Sequence, residues 1–172
     1  MKMYFGKKER FAIFLELDEA SGREWMFGKF CYCINGRQIG DFDAGISLRD
    51  VFFQMKYIRG DRGHRDFEKL FKLPKNIFFR LMSDALSERS NEIAQYASED
   101  FLPASLDVCP LVDIFGAWRI FLVGYAKQER LIFGECDESE VFELILPAGE
   151  FDEVFEASYL QLELMYEAAI SQ

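Results

Sequence analysis

Asn35-Gly36 separates a long apolar run, residues 25–34, from a short one, residues 39–42. Both residues tolerate the positive φ of a type I′ turn, whose twist matches that of two antiparallel strands. The dipeptide therefore commits this part of the chain to a hairpin. Ahead of it, Phe11, Ile13, Leu15 and Leu17 alternate with positions that turn polar at Glu16, the period-2 pattern of a strand with one buried face. Ser21-Gly22 marks the turn between these runs. Residues 25–34 are apolar on both sides, as in an interior strand covered on both faces, so Trp25, Phe27 and Phe30 are expected to be buried. Three antiparallel strands follow from these signals.

The period then changes. Ser47-Leu48-Arg49-Asp50 has the form of a capping box, in which Ser47 accepts a backbone N–H and Asp50 reaches back. Leu48, Val51, Phe52 and Met55 follow at helical spacing, and the helix is expected to stop near Gly60, before the polar loop 60–65. Pro74 suits a first helical position ahead of Phe78, Leu81, Met82 and Ala85. Ser90 is placed to cap a short helix carrying Ile93, Tyr96 and Ala97.

Strand character returns over residues 118–125, 131–134 and 141–146, where Trp118, Ile120 and Leu122 should be buried. Gly149 introduces a final helix with Phe151, Val154, Phe155, Tyr159, Leu162 and Tyr166 on one side. The order strands, helices, strands, helix implies an α+β fold. Antiparallel sheet comes from the N-terminal and C-terminal strand blocks, and helices from the middle and C-terminus pack on it. With 172 residues, no repeat and no linker, a single domain over 1–172 is expected.

Charge is distributed unevenly along this pattern. From Leu131 onward there are eleven acids and no Lys, Arg or His, so the net charge of −10 sits in the last quarter of the chain. Such a field steers a basic partner and repels nucleic acid and anionic lipid, although acidity also serves plain solubility. High aromatic content, with 19 Phe, places the acidity on a folded protein rather than a disordered tail. Between Arg49 and Arg80 nine bases face four acids, an excess that ordinary helix surfaces explain better than phosphate binding. No apolar run reaches the roughly 18–20 residues of a membrane span, and the run after Lys7, Lys8 and Arg10 ends at Glu16, too early for a signal peptide. Cys31, Cys33, Cys109 and Cys136 are sparse enough to read as reduced, buried thiols, which makes the cytoplasm the expected compartment.

Signatures of catalysis are absent from the sequence. Gly60-x-x-Gly63 lacks the further glycine of a dinucleotide fingerprint, and no phosphate loop, nucleophile elbow or His-Glu-x-x-His helix occurs. His64 is the one histidine and stands in a charged loop. The acids at 135–140 lack the central glycine of a calcium loop. No catalytic, cofactor or metal site is assigned.

Several blocks, taken in order, carry a resemblance. They are Phe-Ala-Ile-Phe-Leu-Glu-Leu-Asp at 11–18, Trp-Met-Phe-Gly-Lys-Phe-Cys-Tyr at 25–32, Ile-Asn-Gly at 34–36, Ile-Gly-Asp at 39–41 and Ser-Leu-Arg-Asp-Val at 47–51. Phe-Gly-Ala-Trp-Arg-Ile-Phe-Leu-Val at 115–123 and Arg-Leu-Ile-Phe at 130–133 follow. Across about two-thirds of the chain this pattern resembles immunity protein family 42 of bacterial polymorphic toxin systems. The resemblance implies a cytoplasmic protein, not an enzyme, that binds and neutralises a cognate toxin domain, with no cofactor and with neither nucleic acid nor membrane as partner. A small enzyme with an unfamiliar site, or a generic adaptor, are the alternatives. An acidic inhibitor suits a toxin whose active surface is basic, as a nuclease's is. The candidate toxin-binding residues are accordingly Glu135, Asp137, Glu138 and Glu140, before a strand, and Asp152 and Glu153, in the first turn of the last helix. The oligomeric state stays open.

Overall fold

Phe11, Ile13 and Leu15 are fully buried as their alternation predicts, but Ala12 and Phe14 are buried too, so this strand is covered on both faces rather than one, and Leu17 is only half-buried. The computed structural model describes residues 1–137 and 139–171. Its strands are β1 (Lys2–Gly6), β2 (Phe11–Leu17), β3 (Phe27–Ile34), β4 (Arg37–Ile39), β5 (Ile46–Ser47), β6 (Trp118–Tyr125), β7 (Gln128–Glu135) and β8 (Val141–Pro147). Its α-helices are α1 (Leu48–Gly60), α2 (Glu68–Phe71), α3 (Lys75–Leu86) and α4 (Glu150–Ile170). The fold is α+β, and the two strand blocks form antiparallel sheets, one each. The chain divides into two units, the first holding Met1–Gly60, Pro110–Gly116 and all from Glu150 onward, the second Asp61–Cys109 and Ala117–Gly149.

In the first unit the strand order is β1-β2-β3-β4, with β5 also on β3. The register sets Phe11 opposite Ile34, Ile13 opposite Tyr32 and Leu15 opposite Phe30, a ladder of large side chains on one face. Helix α4 lays Phe151 on Phe11, ring centroids 4.7 Å apart, and α1 and α4 meet through Phe52 and Tyr159 at 5.0 Å. Phe115 closes the same face against Tyr32 at 5.3 Å. The Asn35-Gly36 turn has φ of 51° and 75°, the left-handed pair a type I′ hairpin requires. Ser47 caps α1 as its sequence suggested, accepting the Asp50 N–H at 3.2 Å. Asp50 does not complete the box, because its carboxylate takes the Arg49 guanidinium at 3.2 Å instead.

Two aromatic expectations fail here. Trp25 is 43% exposed and Phe27 46%. Residues Arg23–Trp25 form a 3₁₀ turn between left-handed Gly22 and Met26, and this turn puts Met26, not Trp25, into the core. Phe27 opens β3 on the opposite face from Phe30. That second face is covered only further along, where Phe14 and Phe42 shield Ala12, Cys31 and Cys33. Phe30 is buried as expected. The returning strand is also shorter than its pattern, since Asp41 accepts the N–H groups of Asp43 and Ala44 and turns the chain into a 3₁₀ turn at Phe42–Ala44.

The second unit is the meander β6-β7-β8 with α3 on one face. Phe78 and Phe79 meet Phe121 edge-on at 6.0 and 5.6 Å, with Leu81, Met82, Ile132 and Val141 around them. Ile120 and Leu122 are buried; Trp118, at the strand's first position, is only half-buried. Pro74 stands just before α3 as its N-cap rather than inside it. The segment after Ser90 is a 3₁₀ helix, Glu92–Tyr96, with Ser90 accepting the Glu92 N–H. Arg130 ties this unit together from a buried position, donating to Glu143 and to the carbonyls of Phe71 and Leu73.

Candidate functional site

The turn that carries β7 into β8 displays Glu135, Asp137 and Glu140, all exposed. Glu138 lies outside the described residues. A tight connection between two strands forces these acids outward, because the flanking positions Phe133 and Val141 take the buried places. Asp137 accepts the Ser139 N–H at 3.1 Å, and that hydrogen bond, with one from the Ser139 side chain, holds its carboxyl below the usual range. The turn thus presents fixed negative charge at neutral pH. Arg119 approaches from β6, bonding Cys136 Sγ at 3.3 Å and Ser87 Oγ at 3.1 Å.

Asp152 and Glu153 belong to the first unit, in the opening turn of α4, with Asp152 half-buried and Glu153 exposed. Acids at a helix N-terminus also complement its macrodipole, a local benefit that any helix offers. The six candidates thus fall into two groups on different units. Elsewhere on α4, Arg10 holds Glu150, and Arg59 holds Glu156 through two bonds of 2.6 and 2.8 Å. Glu153, Glu163 and Glu167 have no salt-bridge partner among the described residues.

The bases of residues 49–80 are largely engaged by the fold. The Arg49 guanidinium lies 3.6 Å from the centre of the Trp25 ring, Lys56 lies over Phe52, and Arg65 is buried against the Ser105 carbonyl. Lys72 pairs with Glu68, and Arg80 lies near Asp84 and Glu92. His64 is exposed. Among the described residues no group of three or more His, Cys, Asp or Glu side chains is arranged to hold a metal ion. Cys31 and Cys33 share a strand face; the Cys31 thiol is pushed up by its hydrogen bond to Cys33 and by burial, while that bond brings Cys33 down to about 7.

Sequence reasoning passed over one stripe. Ala157, Leu160, Leu164 and Ala168 are all exposed on the outer side of α4, opposite its buried residues. Their spacings of three, four and four are a helical signal in their own right. The inner stripe at Phe151, Phe155 and Tyr159 is the stronger signal in the sequence and masks the outer one.

A family model described as Immunity protein 42 matches residues 3–159, through segments of both units. The chain belongs to the immunity protein 42 family. Among solved structures, the crystal structure of CdiI from Burkholderia dolosa AUO158 shares the fold, with a TM-score of 0.71 over 92% of this chain and 99% of that one. Sequence identity between the two is 19%. Comparison with curated proteins finds no significant match. No helix among the described residues is long and apolar enough to cross a membrane.

Proposed function

We propose that this chain is a cytoplasmic immunity protein that neutralises a cognate toxin domain by binding it, and that it works as an inhibitor rather than as an enzyme. The family match over residues 3–159 carries this reading. The solved neighbour's description as a CdiI agrees with it. The acids at Glu135, Asp137, Glu138, Glu140, Asp152 and Glu153 supply the partner-facing charge in this reading, against a toxin with a basic active surface such as a nuclease. Two features support that part: the basic residues all lie ahead of Leu131, and Glu135, Asp137 and Glu140 of the β7–β8 turn are solvent-facing. Charge of this kind accelerates encounter more than it tightens the final complex.

Co-expression with the toxin domain encoded beside this chain tests the reading. Growth should be restored, and the two proteins should co-elute on gel filtration. Turnover of a small substrate by the purified chain, with no binding to the neighbouring toxin, would sink it. Reversing Glu135, Asp137, Glu138 and Glu140 to Lys should slow association at low salt and leave melting nearly unchanged. Association at the wild-type rate would place the contact elsewhere.

A further inference from the structure

Helix α4 has two apolar faces, and only one of them is buried among the described residues. The inner face buries Phe151, Val154, Phe155, Tyr159 and Leu162. On the outer face Leu160 and Leu164 stand one turn apart, 44% and 61% exposed, between exposed Ala157 and Ala168. A surface helix ordinarily gives its outer side to polar residues. Two leucines one turn apart, flanked by small alanines, leave a shallow apolar seam of the kind a second surface covers.

The charge around the seam says what covers it. Residues 150–170 contain six acids and no Lys, Arg or His. Arg10 and Arg59 neutralise Glu150 and Glu156 from within the unit. Glu163 and Glu167, three residues beyond Leu160 and Leu164 respectively, follow one rim of the seam, and Glu153 lies at its N-terminal end. Two copies of this chain meeting on the seam would bring acid rims together, each on a molecule of net charge −10. An anionic lipid surface would be repelled in the same way.

We propose that the outer face of α4 is the toxin-docking surface and receives an apolar element bordered by Lys or Arg, with the acids of the β7–β8 turn acting through long-range steering rather than contact. This rests on the immunity reading and names its contact surface. The leucines supply the desolvated centre of the contact, while Glu153, Glu163 and Glu167 meet the partner's bases at its edge.

Two variants test the proposal against the purified neighbouring toxin domain. Leu160→Ser/Leu164→Ser should weaken the complex by at least ~30-fold, mainly through faster dissociation. Glu163→Lys/Glu167→Lys should lower the association rate about tenfold at ~50 mM salt and much less at ~500 mM. All four side chains project at least partly to solvent, so melting should hold in both variants. Should the double leucine variant fold poorly, Leu164→Gln, at the more exposed site, carries the same test. Wild-type protein that binds the toxin, with both variants binding equally well, overturns the docking surface and leaves the immunity reading intact. Wild-type protein that fails to bind overturns both. A wild-type dimer that dissociates on Leu160→Ser/Leu164→Ser overturns the proposal in favour of self-association.

Discussion

Asp107 shows how one side chain sets a pH dependence. Burial raises its carboxyl to about 6, against the opposing pull of the Cys109 N–H, which it accepts at 3.0 Å, and of the Arg119 charge. The folded state therefore keeps a proton that the unfolded chain gives up near its ordinary carboxylate range. Stability from this group is fully present below about pH 4 and is lost as pH rises through about 6, on the order of 3 kcal/mol at most. Asp107→Asn keeps the acceptor for Cys109 and removes the charge. It should melt at least as high as wild type at pH 7.5, and it should lack that component of the decline between pH 4 and pH 7. Urea unfolding of both proteins across that range measures it; identical pH profiles would refute the assignment. Nothing in the sequence marks Asp107, since an acid in a Pro-bracketed connection gives no hint of burial. Arg130 is equally opaque, because a base at a strand end looks exposed until the carbonyls of Phe71 and Leu73 are found on it. Ser47 and Asn35-Gly36 were legible because their partners are close neighbours in sequence. A residue whose partners lie 57 or 59 positions away is not.

Elements follow the same division between local and distant causes. Strand β2, helix α1 and strand β6 have the boundaries their periodicity predicts, because each carries its own buried stripe. Strand β1 escaped notice, since none of its residues is buried and exposed Tyr4 blurs the alternation. Trp25 is not buried as its pattern suggests because a 3₁₀ turn with left-handed flanks leaves no periodic trace, and Phe27 is not because its face of β3 is uncovered at that end. Close approach between elements is also invisible from one strand alone. A methyl on Gly28 would lie 2.1 Å from the Glu16 carbonyl oxygen of β2 and 2.9 Å from Leu48 of α1. Gly28→Ala should therefore cost about 2–3 kcal/mol by forcing backbone apart, whereas Gly60→Ala, with nothing within 4 Å, should be neutral or slightly stabilising. Chemical denaturation of the pair checks this directly. Equal stability of the two variants would contradict the β2–β3–α1 packing.

At the scale of the whole molecule, the net charge of −10 makes a prediction independent of which acids touch the partner. Association with the toxin domain should slow at least ~10-fold between ~50 and ~500 mM salt, with dissociation changing far less. Stopped-flow measurements across that range report it, and an association rate indifferent to salt would remove electrostatic steering from the mechanism. The family was legible in the sequence because its blocks span most of the chain in order. The seam on α4 was not, and the likeness could not point to most of it: Leu160 and Leu164 lie past the last matched residue.

The interrupted path of the first unit has a consequence for its birth on the ribosome. Its sheet leaves the exit tunnel early, but Phe151, which lies on Phe11, is made more than a hundred residues after the strand it covers. At roughly 5–20 residues per second, the Phe11 part of that face waits on the order of ten seconds for α4, although α1 follows the sheet directly. The second unit, by contrast, has all of its chain in hand before α4 is begun. Newly made molecules therefore pass through an interval in which Phe11 still lacks Phe151, and a chaperone that recognises apolar strands has its opening there.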